Sequence, residues 1–176
     1  MTTVSPLQSA LYTKLRTFLL TIVPSGVEVV QGLGNRASMP AGPFVAMTAV
    51  LQKRLATNQD AYTDPYPLPD PGSRAVQQNT RFDVQLDFYG PSAGDWAAMT
   101  STLLRDDDGC AALSPDCQPL YADEGRQVPF VSGEEQYVLR WTVTACLQYN
   151  PVTTLPQQFA GAAAVTLINV DEAYPP

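Results

Sequence analysis

The sequence predicts an α+β fold, with a mainly antiparallel or mixed sheet and two helices packed on one face. Three observations predict it. The runs "RFDVQLDFY" and "YVLRWTVTACLQY" alternate apolar and polar residues, as strands covered on one face do. Leu7, Leu11, Leu15, Phe18, Leu19 and Ile22 recur at spacings of three and four, which puts them on one stripe of an amphipathic helix. A second helical segment lies between the alternating runs, and strands joined by loops and hairpins with two helices to cover one face make an α+β arrangement.

Taken in order, Ser5-Pro6-Leu7-Gln8 has the form of a capping box with Pro at the first helical position. The helix it opens ends at Pro24-Ser25-Gly26. "VEVV" and "FVAMTAVL" then read as buried strands on either side of "QGLGNRASMPAGP". The glycines of that segment raise the question of a phosphate cradle, which requires a helix N-terminus immediately after the loop. Pro40 and Pro43 fix φ and remove amide donors where such a helix would begin, so the segment reads as strand, long loop, strand.

Residues 57–79, rich in Pro, Asp and Gly and without periodicity, read as a long loop, and a loop of that length is functional or ordered only in an assembly. In 81–89, Phe82, Val84, Leu86 and Phe88 face one way, and Arg81, Asp83, Gln85, Asp87 and Tyr89 the other. The second helix starts at Ser92 with Asp95 in its first turn, buries Trp96, Met99, Leu103 and Leu104, and stops at Gly109. The run 137–149 sets Tyr137, Leu139, Trp141, Val143, Ala145, Leu147 and Tyr149 against Arg140, Thr142, Thr144 and Gln148. "AAAVTLINV" near the C-terminus reads as a last strand. The whole chain, 1–176, reads as one domain with a long loop at 57–79.

Composition narrows the function. Charged residues are 15% of the chain, against about 25% in an average soluble domain, and a surface so poor in charge suits burial in an assembly. Net charge is -7 and the ten basic residues are scattered apart from Lys53-Arg54, which disfavours a protein that grips DNA by neutralising phosphates. The absence of histidine removes the commonest general base and the commonest zinc ligand. Cys110, Cys117 and Cys146 lack a CxxC spacing and read as reduced thiols, with a Cys110 to Cys117 bridge as the alternative. The N-terminal segment is expected to be neither a signal peptide nor a membrane span.

Catalytic constellations are weak. Asp106-Asp107-Asp108 could meet a divalent cation, but consecutive carboxylates do not converge without a turn motif, so they read as the solvated, electrostatically unfavourable C-terminus of the second helix. Asp123-Glu124 and Glu134-Glu135 read as turn chemistry rather than a glycosidase pair. Ser25, Ser38 and Ser132 lack a base to activate them. The chain is expected to be no enzyme, with no metal and no cofactor. Tyr62, Tyr66 and Leu68, large side chains among prolines and aspartates, either fold back on the domain or bury against a neighbour.

In order, "VVQGLGNRASMPAGPFVAMT", "TRFDVQLDFYGPSAGDWAAMTSTLLRDDDGC" and "PLYADEGRQVPFVSGEEQYVLRWTVTACLQYNP" resemble the neck terminator, or tail terminator, proteins of tailed bacteriophages. The resemblance runs from about Leu7 to Glu172. It is carried most specifically by Gln31, Asn35-Arg36, Pro40 and Phe44, by Asp87-Phe88-Tyr89-Gly90, and by Arg140-Trp141. It implies a structural virion protein of the tail and neck, assembled in the host cytoplasm. Such a protein forms a homohexameric ring on the last ring of the tail tube, stops tube growth and joins the tail to the head-neck connector. The implied partners are other copies of itself, the tail tube protein, the neck stopper or adaptor proteins and, where the tail is sheathed, the sheath; DNA passes through the lumen without specific binding, and no membrane is involved. A neck stopper or adaptor on the head side of the joint is the alternative reading.

Under that resemblance the candidate subunit or tube interface comprises Gln31, Asn35, Arg36 and Met39 from the glycine loop, with Tyr62, Tyr66, Leu68 and Arg74 from the 57–79 segment. Arg36, the one charge between Gly32 and Pro43, either pairs with a neighbouring subunit or the tube or stands in solvent. Arg36→Glu is expected to lower ring or tube assembly while leaving the subunit folded by circular dichroism; wild-type virion yield would contradict the pairing.

Overall fold

The computed structural model describes residues 1–32, 39–65, 72–131 and 137–160. In chain order the elements are β1 (Thr3–Ser5), α1 (Gln8–Ile22), β2 (Glu28–Gln31), β3 (Phe44–Arg54), β4 (Gln59–Thr63), β5 (Gly72–Gln77) and β6 (Thr80–Tyr89). They continue as α2 (Ala93–Leu103), α3 (Asp107–Leu113), β7 (Gln118–Ala122), β8 (Arg126–Gln127), β9 (Phe130–Val131), β10 (Tyr137–Val138), β11 (Arg140–Tyr149) and β12 (Val152–Gln157). The strands form a six-stranded sheet in the order β2-β3-β6-β11-β7, with β8 also on β11, a four-stranded sheet β1-β12-β5-β4, and the pair β10-β9. The fold is α+β with mixed and antiparallel sheets, as the sequence predicts.

The alternating runs form the centre. β6 and β11 pair antiparallel from Tyr89 opposite Arg140 to Thr80 opposite Tyr149, and β3 lies antiparallel on the other side of β6. Residues directly opposite share a face, so Phe82, Val84, Leu86 and Phe88 align with Leu147, Ala145, Val143 and Trp141 on one side. That side joins Leu11, Leu15, Phe18 and Leu19 of α1, Ala93, Trp96 and Ala97 of α2, and Leu113 of α3 in one core. Burial of each such Leu or Phe is worth about 1.5–3 kcal/mol, more than helix propensity supplies, so the sheet face fixes the helices.

Three helices, rather than the expected two, contribute to that core. The second breaks at Leu104-Arg105-Asp106, because Asp106 takes an extended conformation and its carboxylate accepts the Asp107 N–H at 2.8 Å, opening α3. The acidic run is therefore the N-terminus of a helix, where negative charge is favourable, and not the C-terminus expected from sequence. Gly109 does not end a helix but lies buried in α3, where a Cβ would come within 2.5 Å of the Leu103 carbonyl. Met99, expected in the core, is exposed.

Other expectations are revised too. Ser5 belongs to β1 and makes no cap; Leu7 precedes α1 with no side-chain cap bond. The run 137–149 divides at Leu139, since Tyr137 and Val138 pair with β9 while β6 turns away after Tyr89. At that turn Gly90 has φ +128°, and a Cβ there would stand 2.8 Å from Pro43, so no other residue fits without strain. Tyr137 and Leu139 are consequently exposed. The span 57–79 is not an unstructured loop: β4 and β5 pair antiparallel from Gln59 opposite Gln77 to Thr63 opposite Ser73. β12 is a further strand despite Pro156: β1 covers only Val152 to Thr154, so the proline sits where one side of β12 is unpaired among the described residues. The predicted strand "AAAVTLINV" lies outside the described residues.

Asp106→Ala is expected to lower unfolding free energy by about 1 kcal/mol through loss of the cap. Urea denaturation measures it, and an unchanged or raised midpoint would restore the helix C-terminus reading.

Candidate assembly surface

The side of the six-stranded sheet away from the helices is built by the other residues of the same strands. From β6 come Arg81, Asp83, Gln85, Asp87 and Tyr89, opposite Gln148, Cys146, Thr144, Thr142 and Arg140 of β11. Asp83 and Asp87 are only 4% and 5% exposed, so β6 is buried on both faces and not half-buried. Buried carboxylates persist only when paired and hydrogen-bonded, and both are. Arg81 donates to both oxygens of Asp83 at 2.7 Å, to the Tyr121 hydroxyl at 2.6 Å and to Cys146 Sγ at 3.3 Å. Asp87 Oδ1 accepts from Arg140 Nε at 3.1 Å, Arg140 Nη2 at 2.9 Å and Thr142 Oγ1 at 2.7 Å, while Gln85 reaches Oδ2 at 2.9 Å. Tyr89 stacks on Phe44 with centroids 4.3 Å apart and planes 11° apart. Both buried acids of this face are paired, Asp83 within β6 and Asp87 across to β11.

The second sheet continues from the first. β3 ends at Arg54 and β4 begins at Gln59, β5 ends at Gln77 and β6 begins at Thr80, and the Leu55 N–H donates to the Asn79 carbonyl at 2.9 Å across the junction. Register puts Val4, Asp60, Tyr62, Arg74, Val76 and Leu155 on one side of this sheet. Of its residues Gly72 alone is buried, so neither face is covered as the first sheet is. Arg74 donates to Asp60 at 2.8 Å and lies over the Tyr62 ring, its guanidinium carbon 5.8 Å from the centroid. Phe159 meets the edge of Tyr62 at 6.5 Å.

The structure thus brings Tyr62 and Arg74 together, with Tyr62 57% exposed. Gln31 and Met39 are exposed but elsewhere: Gln31 is level with Met47, seven residues before Arg54 along β3, or about 20 Å from the start of the second sheet at roughly 3.3 Å per residue. Asn35, Arg36, Tyr66 and Leu68 lie outside the described residues. The first glycine of the loop does its work within the fold: Gly32 donates to the Met47 carbonyl at 2.7 Å, and a Cβ would collide with Thr48 Oγ1. It lets β2 approach β3 closely, as Gly in a strand does.

Sequence reading missed the exposed apolar group Val50, Leu51 and Leu55. A bulge between Ala49 and Leu51 inserts Val50 and turns Leu51 to the carboxylate side, opposite Asp83. The continuous apolar run carries no mark of that shift. Among the described residues no group of three or more His, Cys, Asp or Glu could hold a metal. Cys110 and Cys117 are not bonded to each other. Burial pushes the Cys117 thiol up to about 11 and raises Cys146 as well, so neither is a thiolate nucleophile at neutral pH. No helix is long and apolar enough to cross a membrane among the described residues.

Arg140→Ala leaves Asp87 buried with neutral donors only, and is expected to cost about 3 kcal/mol. In a cycle with Asp87→Ala the double variant should be destabilised by clearly less than the sum of the singles; additive losses in urea denaturation would show that the pair is not coupled.

The two buried acids are thus paired within the six-stranded sheet, and the four-stranded sheet is covered on neither face. No match to the chain was found among curated proteins. Residues 9–171, nearly the whole chain, match the family described as phage neck terminator protein; the chain belongs to that family of structural proteins of the phage tail and neck.

Proposed function

We propose that copies of the chain form a ring, six in number, that caps the tail tube, ends its polymerisation and joins the tail to the head-side proteins of the neck. The observation that carries this reading is family membership over residues 9–171. The uncovered four-stranded sheet supports it, because a monomer gains little from a sheet with no buried side chain on either face. So do the exposed Val50, Leu51, Leu55 and Tyr62, large apolar side chains of the kind that interfaces cover. The tube protein, the neck stopper or adaptor and, in a contractile tail, the sheath are the partners in this reading. A net charge of -7 suits a lumen through which DNA moves without being held.

The loop around Gln31 and Met39 and the strand pair carrying Tyr62 and Arg74 are two separate contact elements in this account. A nonsense mutation in the gene, in its source phage, is expected to give overlong tails detached from filled heads by electron microscopy. Tails of normal length beside leaking heads would assign the chain to the head side of the joint, as a stopper or adaptor.

A further inference from the structure

We infer that neighbouring copies of the chain join by strand addition, the outer edge of β4 in one copy pairing antiparallel with the outer edge of β1 in the next. The inference rests on the ring reading and names the contact that would close the ring.

Strand direction supports it first. In β1-β12-β5-β4 every neighbouring pair is antiparallel, so with four strands the two outer ones run in opposite directions. A second copy set head to tail therefore brings its β1 antiparallel to the first copy's β4 and extends the sheet without a break in pattern. Such a contact uses two different surfaces, and repeated with a rotation that closes it makes a ring.

Edge chemistry supports it next. Among the described residues no strand pairs the outer edge of β4 or of β1. Native proteins blunt exposed edges with charges, Pro or bulges; here β7 carries Pro119 and a register shift, β12 carries Pro156 where β1 leaves it, and β2 carries the charge of Glu28. β4, "QDAYT", and β1, "TVS", carry no proline and no register shift. The one charge among them, Asp60, is already paired with Arg74, so addition would strand no carboxylate. Register completes the match. Val4 lies on the same side of the sheet as Asp60 and Tyr62, both Val4 and Tyr62 are exposed, and an aliphatic β-branched residue beside an aromatic is a favourable cross-strand pair.

The test is disulfide trapping in virions of a phage carrying Cys110→Ser, which removes the exposed native thiol, with Val4→Cys and Tyr62→Cys. A second phage carries Ser5→Cys and Ala61→Cys, which the same register sets opposite each other on the other side of the same strands. Mild oxidation is expected to convert most of the 19.0 kDa band into a ladder beyond dimer in at least one double variant, reversed by reductant and absent from each single variant. Dimers from Tyr62→Cys or Ala61→Cys alone would mean two-fold pairing of β4 with β4 and would overturn the inference. So would the absence of cross-links from both double variants in virions that quantitative mass spectrometry shows to hold several copies of the chain; the ring would then stand on another contact. Virions holding a single copy or none would sink the ring reading itself, and strand addition with it.

Discussion

β6 is covered on both faces, and the rest of the molecule follows from how each cover is made. One face is closed by Phe82, Val84, Leu86 and Phe88 against the helices. The other is closed by its own carboxylates, Asp83 held by Arg81 and Asp87 by Arg140, Thr142 and Gln85. Removing water from two acids is tolerable only because each receives several donors of fixed geometry. The donor to Asp83 comes from β6 itself, while two of those to Asp87 come from β11, so the bonds that satisfy Asp87 also tie the register of the central pair. A slip of one residue would turn Phe82 and its neighbours outward and carry the acids into the core.

That register was legible in the sequence because period-two alternation is a property of the strand alone. Phe82 to Phe88 and Val143 to Leu147 could be assigned to one face without knowing what covered it. The burial of Asp83 and Asp87 was not legible. It depends on Arg81 lying two residues away on the same face and on Arg140 lying 53 positions on, and only the paired register brings the second of these into reach. The same limit applies to Asp106-Asp107-Asp108. Whether three acids end one helix or begin another turns on the extended backbone of Asp106, and local spacing fits both.

The candidate surface was legible in part for a related reason. Tyr62 and Arg74 stood out as large or charged residues in a segment with no core pattern, and they do lie together. The segment had no pattern because β4 and β5 bury neither side, so nothing selects apolar residues at alternate positions. A strand without a covered face leaves only β-propensity and turn residues as signals, and in 57–79 the prolines and aspartates outweighed both. Val50 and Leu51 were hidden for the opposite reason: an unbroken apolar run reads as a buried strand, while the bulge that exposes its end is a matter of backbone geometry.

The two sheets therefore differ in what completes them. The six-stranded sheet is self-sufficient, since its apolar side carries helices and its polar side pairs both of its buried acids. The four-stranded sheet is a continuation of the same strands beyond the reach of the helices, held by ladder hydrogen bonds and by one small cluster of Tyr62, Arg74, Asp60 and Phe159. Pairing alone stabilises a sheet weakly in water, and an uncovered sheet with undefended edges invites association. In a protein that acts as a monomer such a feature would be a liability. Under the proposed strand addition it has a use, because a neighbouring copy would pair the edges that the chain itself leaves open.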